Sequence, residues 1–513
     1  MKTCLISILL GIQLLCPSVW AKNIKADGLQ RSTPEAEGIS SSVILQYIDA
    51  VEKKNLGMHS FMLLRHGKVI AEGWWKPYQP ELRHIVHSVS KMFVSTAVGF
   101  AIDEKLMTLD DKVMCFFPEY LPDTITPYLE QLTIRHLLTM SAGNEPAPVF
   151  TSADGNWVKA FLATPLVNKP GSKFVYSSYA TYMVSAILQR VTGQPVRDYL
   201  RPRLFEPLGI YAVLWEESPA GINCGGWGLR LKTSDLAKLG QLYLQRGKWQ
   251  GKQLLSASWI EEATTSHISP QPDLSPDKCT ANDWAQGYGY YIWRCCNNAF
   301  RADGSSGQYI IVMPDQDMVM AITSESPDMK EELNLVWKYF LPAVKDKKLP
   351  NDKDAYNALM SKMATLSLPM PFDKTTLLDD KTVVRHYSVE PNELHIDHIS
   401  VKVADDKCFM TLVTDDASHE FVCGNGQWIY DKTERKSPYF VSLRHNSSGL
   451  SPFDIAGCFA WKNKNVLQIR LLYLEDNTFE TFSISDDGEE ATVTLYRTSN
   501  TKLPDVRMKA HIE

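Results

Sequence analysis

The chain has 513 residues, of which 44% are hydrophobic and 22% charged, and its formal net charge is −6. This composition is ordinary for a soluble globular protein, and the length exceeds that of one ordinary domain. Because the sequence has no concentrated basic run, we do not expect a nucleic-acid partner, which requires a concentrated positive surface.

Residues 1–21 have the layout of a secretory signal peptide. Lys2 gives a positive start, Leu5–Leu15 is almost wholly apolar, and Ala21 is a small residue at the predicted cleavage site. The apolar run is far shorter than the roughly 20 residues that a membrane span needs. We therefore predict an exported protein, periplasmic or extracellular, without a transmembrane segment. The alternative is a lipoprotein signal that ends at Cys16.

The spacing of apolar residues predicts helices and strands over the first two thirds of the chain. In chain order they are a helix at Ser42–Lys54, two strands around a His66-Gly67 turn within 61–71, a helix from about Ser88 to Glu104, mainly helical structure over 130–220, an amphipathic helix at Ser234–Arg246, strands over 287–323, and a helix that carries Trp337 and Phe340. We assign residues 22–345 to one folding unit.

The composition changes near Lys345. The segment Lys345–Asp352 is charged and rich in structure breakers, which is typical of a linker, and a short helix is predicted at about Ala355–Ala364. From Thr382 onward, short alternating strands and turns predict an all-β unit, either a small barrel or a sandwich. We therefore predict a linker with a short helix at 346–370 and a β-rich C-terminal domain at 371–513.

No motif in the sequence predicts a metal ion or another cofactor. The C-x-x-C, H-E-x-x-H, P-loop and dinucleotide-binding glycine motifs are absent, as is the G-x-S-x-G motif of α/β-hydrolases. His395 and His398 lie three residues apart on either side of an isoleucine and an aspartate, but we interpret them as surface residues. Eight cysteines follow the signal segment, which is too few for a disulfide scaffold.

The strongest chemical motif is S-x-x-K, formed by Ser88 and Lys91 at the start of an apolar helix. Residues three apart on a helix share one face, so the lysine can contact the serine hydroxyl. A serine is a useful nucleophile only beside a base, and a lysine is that base only when its pKa is lowered from about 10.4. The motif also occurs at 275–278 and 499–502, but neither of those copies opens an apolar helix.

Two later segments carry further candidate residues. Tyr176 is followed by Ser177 and Ser178, and a tyrosine in the same cleft can carry a proton between nucleophile and leaving group. The glycine- and serine-rich stretch 302–310 allows a strand backbone to lie against a substrate, where an N–H group can complete an oxyanion hole. Taken alone, each segment also fits a plain structural interpretation, a surface tyrosine or a glycine-rich hairpin.

In order and spacing, these motifs resemble the serine β-lactamase and penicillin-binding-protein superfamily. The phrases at 132–143 and 227–244 resemble it too, so the resemblance covers about residues 30–345. It implies an α+β fold of the β-lactamase/transpeptidase type, in which an antiparallel sheet is flanked by helices and a helical subdomain walls the cleft. It further implies that Ser88 forms an acyl-enzyme, Lys91 is the activating base, and Tyr176 is the proton relay. The backbone N–H groups of Ser88 and Ser305 would form the oxyanion hole.

The sequence departs from the family pattern at two substrate-binding positions. Ser178 replaces the usual asparagine of Tyr-x-Asn, and Ala302-Asp303-Gly304 replaces Lys-Thr-Gly or His-x-Gly. The second change removes a cation that binds a substrate carboxylate, and Asp303 is expected to repel one. The pattern therefore favours the branch of family VIII esterases and 6-aminohexanoate-dimer hydrolases over true β-lactamases.

Two hypotheses of function are compatible with the sequence. The first is a serine hydrolase that acts on an ester, an amide or a D-amino-acid peptide as a small-molecule or peptide substrate. The second is a penicillin-binding-like sensor or binding protein that has the fold but no turnover, since both substrate-binding motifs are altered. Three arginines are candidates to replace the missing cation: Arg230, Arg294 and Arg301. The sequence predicts neither the substrate nor the oligomeric state.

Overall fold

The computed structural model describes residues 27–147, 155–375, 382–415, 417–438, 451–498 and 504–513. The predicted signal segment and the S-x-x-K copy at 499–502 lie outside these residues. The α-helices within them are α1 (Ser41–Lys53), α2 (Ser90–Asp103), α3 (Pro127–Gln131), α4 (Ile134–Leu138), α5 (Trp157–Ala163), α6 (Ser178–Thr192), α7 (Val196–Leu200), α8 (Thr233–Leu244), α9 (Ala257–Thr264), α10 (Pro276–Cys279), α11 (Met329–Phe340) and α12 (Lys353–Ala364). None of these helices has the length and apolar character that a membrane span needs.

The strands of the same ranges fall into an N-terminal and a C-terminal set. The first set is β1 (Gln30–Arg31), β2 (Met58–Arg65), β3 (Lys68–Trp74), β4 (His84–Ile85), β5 (Leu214–Trp215), β6 (Leu229–Leu231), β7 (Lys248–Trp249), β8 (Lys252–Gln253), β9 (Trp293–Arg294), β10 (Phe300–Gly304), β11 (Gln308–Met313) and β12 (Met318–Ser324). The second set is β13 (Thr382–Val389), β14 (Ile396–Ala404), β15 (Lys407–Thr414), β16 (Ser418–Asn425), β17 (Ile429–Thr433), β18 (Phe453–Asn463), β19 (Val466–Tyr473), β20 (Thr478–Asp486), β21 (Glu490–Arg497) and β22 (Val506–Ile512).

The N-terminal part is built on a seven-stranded sheet in the order β1-β3-β2-β12-β11-β10-β9. Strands β2, β11 and β12 are buried along their whole length, because helices cover both faces of the sheet. On one face α8 packs so closely that a Cβ at Gly240 would lie 2.5 Å from the Val319 side chain. On the other face, the rings of Tyr47 in α1 and Phe340 in α11 are 5.0 Å apart. This is the predicted α+β fold, with an antiparallel sheet flanked by helices.

Helix α2 lies in the centre of the N-terminal core. Its residues from Ser90 to Ala101 are all buried, which explains why the sequence pattern there is apolar on every side. We predicted that the helix opens at about Ser88, and the structure has a 3-10 turn at His87–Val89 that continues directly into the α-helix at Ser90. His87 has a left-handed backbone with φ of 46°. That conformation prevents the helix from extending further toward the N-terminus.

The C-terminal part is an all-β unit, as predicted. Its ten strands form one sheet in the order β16-β15-β14-β13-β22-β21-β20-β19-β18-β17, and a further pairing of β16 with β18 closes it. Of the two predicted alternatives, a barrel and a sandwich, the C-terminal unit is therefore the barrel. Alternating residues such as Val401, Phe421 and Val493 point inward and form its core.

The segment between the two units contains helix α12. Lys362 of this helix forms ion pairs with Asp49 and Glu52 of α1, at 3.0 and 2.6 Å, and Leu359 is buried in the same interface. The predicted short helix therefore lies against the N-terminal unit.

Candidate active site

Ser88 lies in the 3-10 turn that follows β4 and precedes α2. Its side chain is half-buried. Among the described residues, its backbone N–H has no hydrogen-bond acceptor, because the turn is closed by the N–H groups of Val89 and Ser90 instead. A free N–H at the nucleophile can stabilise a negative oxygen that develops on a bound carbonyl group.

Lys91 lies one helical turn after Ser88 and is only 1% exposed. Its Nζ is 3.0 Å from Ser88 Oγ, 3.1 Å from Ser178 Oγ and 2.7 Å from the backbone oxygen of Gly226. Burial lowers the pKa of Lys91 to about 7, although the charge of Asp303 acts in the opposite direction. A large fraction of Lys91 is therefore neutral near pH 7, and a neutral amine can accept the serine proton.

Tyr176 completes the group of side chains around Ser88. Its ring centroid is 4.7 Å from Lys91 Nζ, and its hydroxyl interacts with the Ser88 side chain. The ring stacks on Trp293 of β9, with centroids 6.1 Å apart and planes at 18°. Burial raises the pKa of Tyr176 well above its usual value, so its hydroxyl keeps a proton that it can donate.

Ser178 is the first residue of α6, and the preceding Ser177 caps this helix through a hydrogen bond to the N–H of Ala180. The cap fixes the direction in which the helix enters the site. The Ser178 hydroxyl accepts a hydrogen bond from Lys91, so the serine at the usual asparagine position contacts the candidate base directly.

Strand β10 forms the wall opposite Tyr176. A Cβ at Gly304 would lie 2.4 Å from the Val86 backbone oxygen, so only glycine allows β10 to approach the nucleophile turn this closely. The next residue, Ser305, is exposed, and its backbone N–H donates to no acceptor in the described part of the chain. The two N–H groups that the sequence predicted for an oxyanion hole are thus both unpaired here.

Asp303 is buried beside this strand end and forms an ion pair with Arg301. Both Nε and Nη2 of Arg301 donate to Asp303 Oδ2, at 3.1 and 2.9 Å, and Trp284 Nε1 donates to the same oxygen at 3.1 Å. Within the described ranges, Oδ1 of Asp303 accepts no hydrogen bond. One carboxylate oxygen is therefore tied to the protein, and the other remains able to interact with a ligand.

The expectation that an arginine replaces the missing substrate-binding cation is wrong for two of the three candidates. Arg301 is fully buried under Asp303. Arg230 is fully buried between Glu216 and Asp476. Both guanidinium groups are already neutralised by carboxylates, so neither can attract a substrate carboxylate.

The structure describes two of the three S-x-x-K copies, at Ser88 and at Ser275. Ser275 precedes the short helix α10 in a largely exposed segment, and its hydroxyl makes no cap hydrogen bond. Of these two described copies, only the copy at Ser88 has its lysine buried against the serine.

Sequence reasoning missed two contacts in this group. The Gly226 carbonyl that accepts from Lys91 carries no side-chain signal, and no spacing in the sequence relates Trp293 to Tyr176. In the same described ranges, no group of three or more metal-ligating side chains occurs.

Comparison with known proteins supplies a second line of evidence. The sequence model of the family described as Beta-lactamase matches residues 48–339. The 6-aminohexanoate-dimer hydrolase of Paenarthrobacter ureafaciens is 25% identical over 302 residues, which cover 52% of this chain and 73% of that protein. Esterase EstB of Burkholderia gladioli is 25% identical over 209 residues, which cover 34% and 53%. Among solved structures, the octameric penicillin-binding-protein homologue from Pyrococcus abyssi aligns with a TM-score of 0.47 and 17% identity, and it covers 91% of this chain and 99% of that one.

Proposed function

The chain belongs to the Beta-lactamase family of serine hydrolases, and we propose on this basis that it hydrolyses an ester or amide bond through an acyl-enzyme on Ser88. The observation that carries the proposal is the contact of Ser88 Oγ with Lys91 Nζ at 3.0 Å, in a buried site that lowers the pKa of the lysine to about 7. A serine beside a largely neutral buried amine is an activated nucleophile.

The proposed reaction has two halves. In the first, neutral Lys91 takes the proton of Ser88 as the serine oxygen attacks the substrate carbonyl, and the N–H groups of Ser88 and Ser305 stabilise the resulting oxyanion. The carbon–leaving-group bond then breaks, and the leaving group takes a proton from Tyr176, which Lys91 restores. In the second half, water attacks the ester on Ser88 and gives a proton to Lys91; the bond from the acyl carbon to Ser88 Oγ then breaks, Lys91 returns the proton to Oγ, and the acid is released.

We propose that the substrate carries no carboxylate beside the scissile bond. Asp303 presents the carboxylate oxygen Oδ1 where the family pattern has a cation, and its ion pair with the buried Arg301 leaves no positive charge there to bind a substrate carboxylate. The names of two relatives, a 6-aminohexanoate-dimer hydrolase and an esterase, support substrates of the amide and ester classes. A carboxylate at this position would have to approach Asp303 at a cost in free energy.

Steady-state hydrolysis of matched substrates tests this function. Short-chain 4-nitrophenyl esters, the 6-aminohexanoate dimer, nitrocefin and nitrocefin methyl ester are compared, with Ser88→Ala as the control. We expect Ser88-dependent hydrolysis of a neutral ester, and a higher kcat/KM for the nitrocefin methyl ester than for nitrocefin.

Two results would contradict the proposal. Faster turnover of nitrocefin than of its methyl ester refutes the role given to Asp303. A stable acyl adduct at Ser88 without turnover of any substrate refutes the hydrolase and favours the sensor.

We propose in addition that the protein is exported, on the basis of the signal-like segment that ends at Ala21. Intact mass of the protein recovered from a secreting host should correspond to a chain that begins at Lys22. A mass that includes residues 1–21, or a lipid on Cys16, would contradict cleavage after Ala21.

A further inference from the structure

The loop between β19 and β20 of the C-terminal sheet is buried against the N-terminal unit. Its three polar residues are Glu475, Asp476 and Asn477, and their exposed fractions are 5%, 1% and 0%. Polar side chains at a strand turn normally point into solvent, and burying them costs free energy unless they are hydrogen-bonded. The partners of this loop therefore indicate what it does.

Two of the loop residues hold the segment that leads into the nucleophile turn. The N–H of Ile85 donates to the backbone oxygen of Glu475 at 2.8 Å, and Arg83 pairs with the Glu475 carboxylate at 2.6 Å. Asp476 accepts from Nε of Arg230 at 2.8 Å. Arg230 lies in β6, which pairs directly with β4. The contacts of Glu475 and the contact of Asp476 therefore all fix the backbone three to five residues before Ser88.

Asn477 reaches further, to the residue immediately before the nucleophile. Burial lowers the pKa of the His87 ring to about 3, and the Asn477 side chain acts on it in the opposite direction. His87 is therefore neutral and has the left-handed φ of 46° that sets the direction of Ser88. A neighbouring side chain that restrains His87 also restrains this backbone turn.

The same amide is connected through Ser324 to the other half of the candidate oxyanion hole. Asn477 Nδ2 donates to the backbone oxygen of Ser324 at 3.2 Å, at the end of β12. The Ser324 hydroxyl lies 2.7 and 2.9 Å from the backbone oxygens of Ser306 and Gly307, and its single proton can be donated to either of them. These two residues follow Ser305 in the β10–β11 turn, so Asn477 supports the backbone that presents the Ser305 N–H.

We infer that Asn477 is a positioning residue for the serine hydrolase reaction, and that the C-terminal sheet is thereby a required part of the active site. The loop 475–477 links the two turns, because Glu475 accepts from Ile85, three residues before Ser88, and Asn477 donates to Ser324, which contacts the turn after Ser305. The two unpaired N–H groups of the oxyanion hole lie on these two turns, and their separation must match a single developing oxygen. The inference rests on the proposed function of Ser88.

The test is the rate of acylation of the full chain by a fluorophosphonate probe. Asn477→Gly removes the side chain without backbone strain, because Asn477 has a φ of 47° that glycine adopts freely. We expect the first-order rate constant of acylation to fall about 10- to 100-fold. The probe concentration that gives half of the maximal rate should stay within about twofold of the wild-type value, because positioning acts on the reacting geometry rather than on probe binding.

Val493→Ala is the matched control, since it weakens the core of the same sheet without touching the loop. We expect it to acylate at the wild-type rate. Wild-type acylation by Asn477→Gly, or an equal loss in Val493→Ala, would overturn the inference while leaving the proposed function intact. A wild-type chain that is not acylated at Ser88 would overturn the proposed function and this inference with it.

Discussion

Replacing Lys91 by methionine should abolish activity and yet stabilise the protein in a pH-dependent way. Burial lowers the pKa of Lys91 from 10.5 to about 7 in the folded chain, and this difference corresponds to about 5 kcal/mol. Between pH 7 and 10.5 the unfolded chain binds a proton at this lysine that the folded chain does not bind. The buried lysine therefore lowers the free energy of unfolding of the wild type, and the methionine variant does not have this loss.

The sign and size of the effect follow from that linkage. Wild-type stability relative to Lys91→Met should rise by about 1.4 kcal/mol for each pH unit between about 7.5 and 9.5. The methionine variant also leaves the Gly226 carbonyl without its buried partner, at a cost of about 1–3 kcal/mol. That cost does not change with pH, so the slope reports the pKa of Lys91 alone.

The assay is urea unfolding of both proteins at pH 7.5, 8.5 and 9.5, with the difference in unfolding free energy plotted against pH. Lys53→Met, at an exposed lysine that ends α1, gives the baseline for the substitution itself. A difference between wild type and Lys91→Met that stays constant over these pH values would refute the lowered pKa. The lysine would then be charged at neutral pH and unable to act as the base.

Three further predictions address other groups in and near the site. Tyr176→Phe should lower the kcat for an ester about 100-fold while the KM changes little, because the hydroxyl that donates to the leaving group is lost; an unchanged kcat would contradict the relay. In the wild type, the acylation rate should fall as the pH drops below about 7, where Lys91 becomes protonated. Asp303→Asn should shift this fall to lower pH, since the Asp303 charge raises the pKa of Lys91. A fall at the same or a higher pH would contradict this coupling. The pKa of His87 is lowered by burial to about 3. As the pH falls from 6 to 4, the wild type should therefore lose about 1.4 kcal/mol of unfolding free energy per pH unit relative to His87→Asn. Equal acid sensitivity of the two proteins in urea unfolding would contradict a buried neutral imidazole.

Local spacing was enough to predict part of the candidate site. Ser88 and Lys91 are three residues apart, and even though the first lies in a 3-10 turn, the spacing still brings both side chains together. The start of α2 was not predictable in the same way. The turn before it contains the left-handed backbone of His87, and although histidine adopts this conformation more often than most residues, the residue type alone does not predict it at a given position.

The Arg301–Asp303 pair carried a signal that the sequence analysis did not use. Residues two apart on a strand point to the same face, so a pair of opposite charges at this spacing predicts an ion pair. Arg301 was instead proposed as a cation for the substrate. Its complete burial, which follows from the covered sheet, excludes that role.

The contribution of the C-terminal sheet could not be predicted from one sequence. Asn477 and His87 are 390 residues apart, and the sequence at 475–477 predicts only an ordinary polar turn between strands. The contact depends on how the two units pack, which no local periodicity encodes. The predicted division into units therefore does not by itself indicate that both contribute to one site.

Mapping of a fluorophosphonate adduct by intact mass and peptide analysis tests the central claim most directly. We expect one adduct per wild-type chain at pH 8, located on Ser88, absent from Ser88→Ala and retained in Ser275→Ala, which alters the other described S-x-x-K copy. An adduct that persists in Ser88→Ala, or a wild-type chain that forms no adduct, would contradict the assignment of Ser88 as the nucleophile.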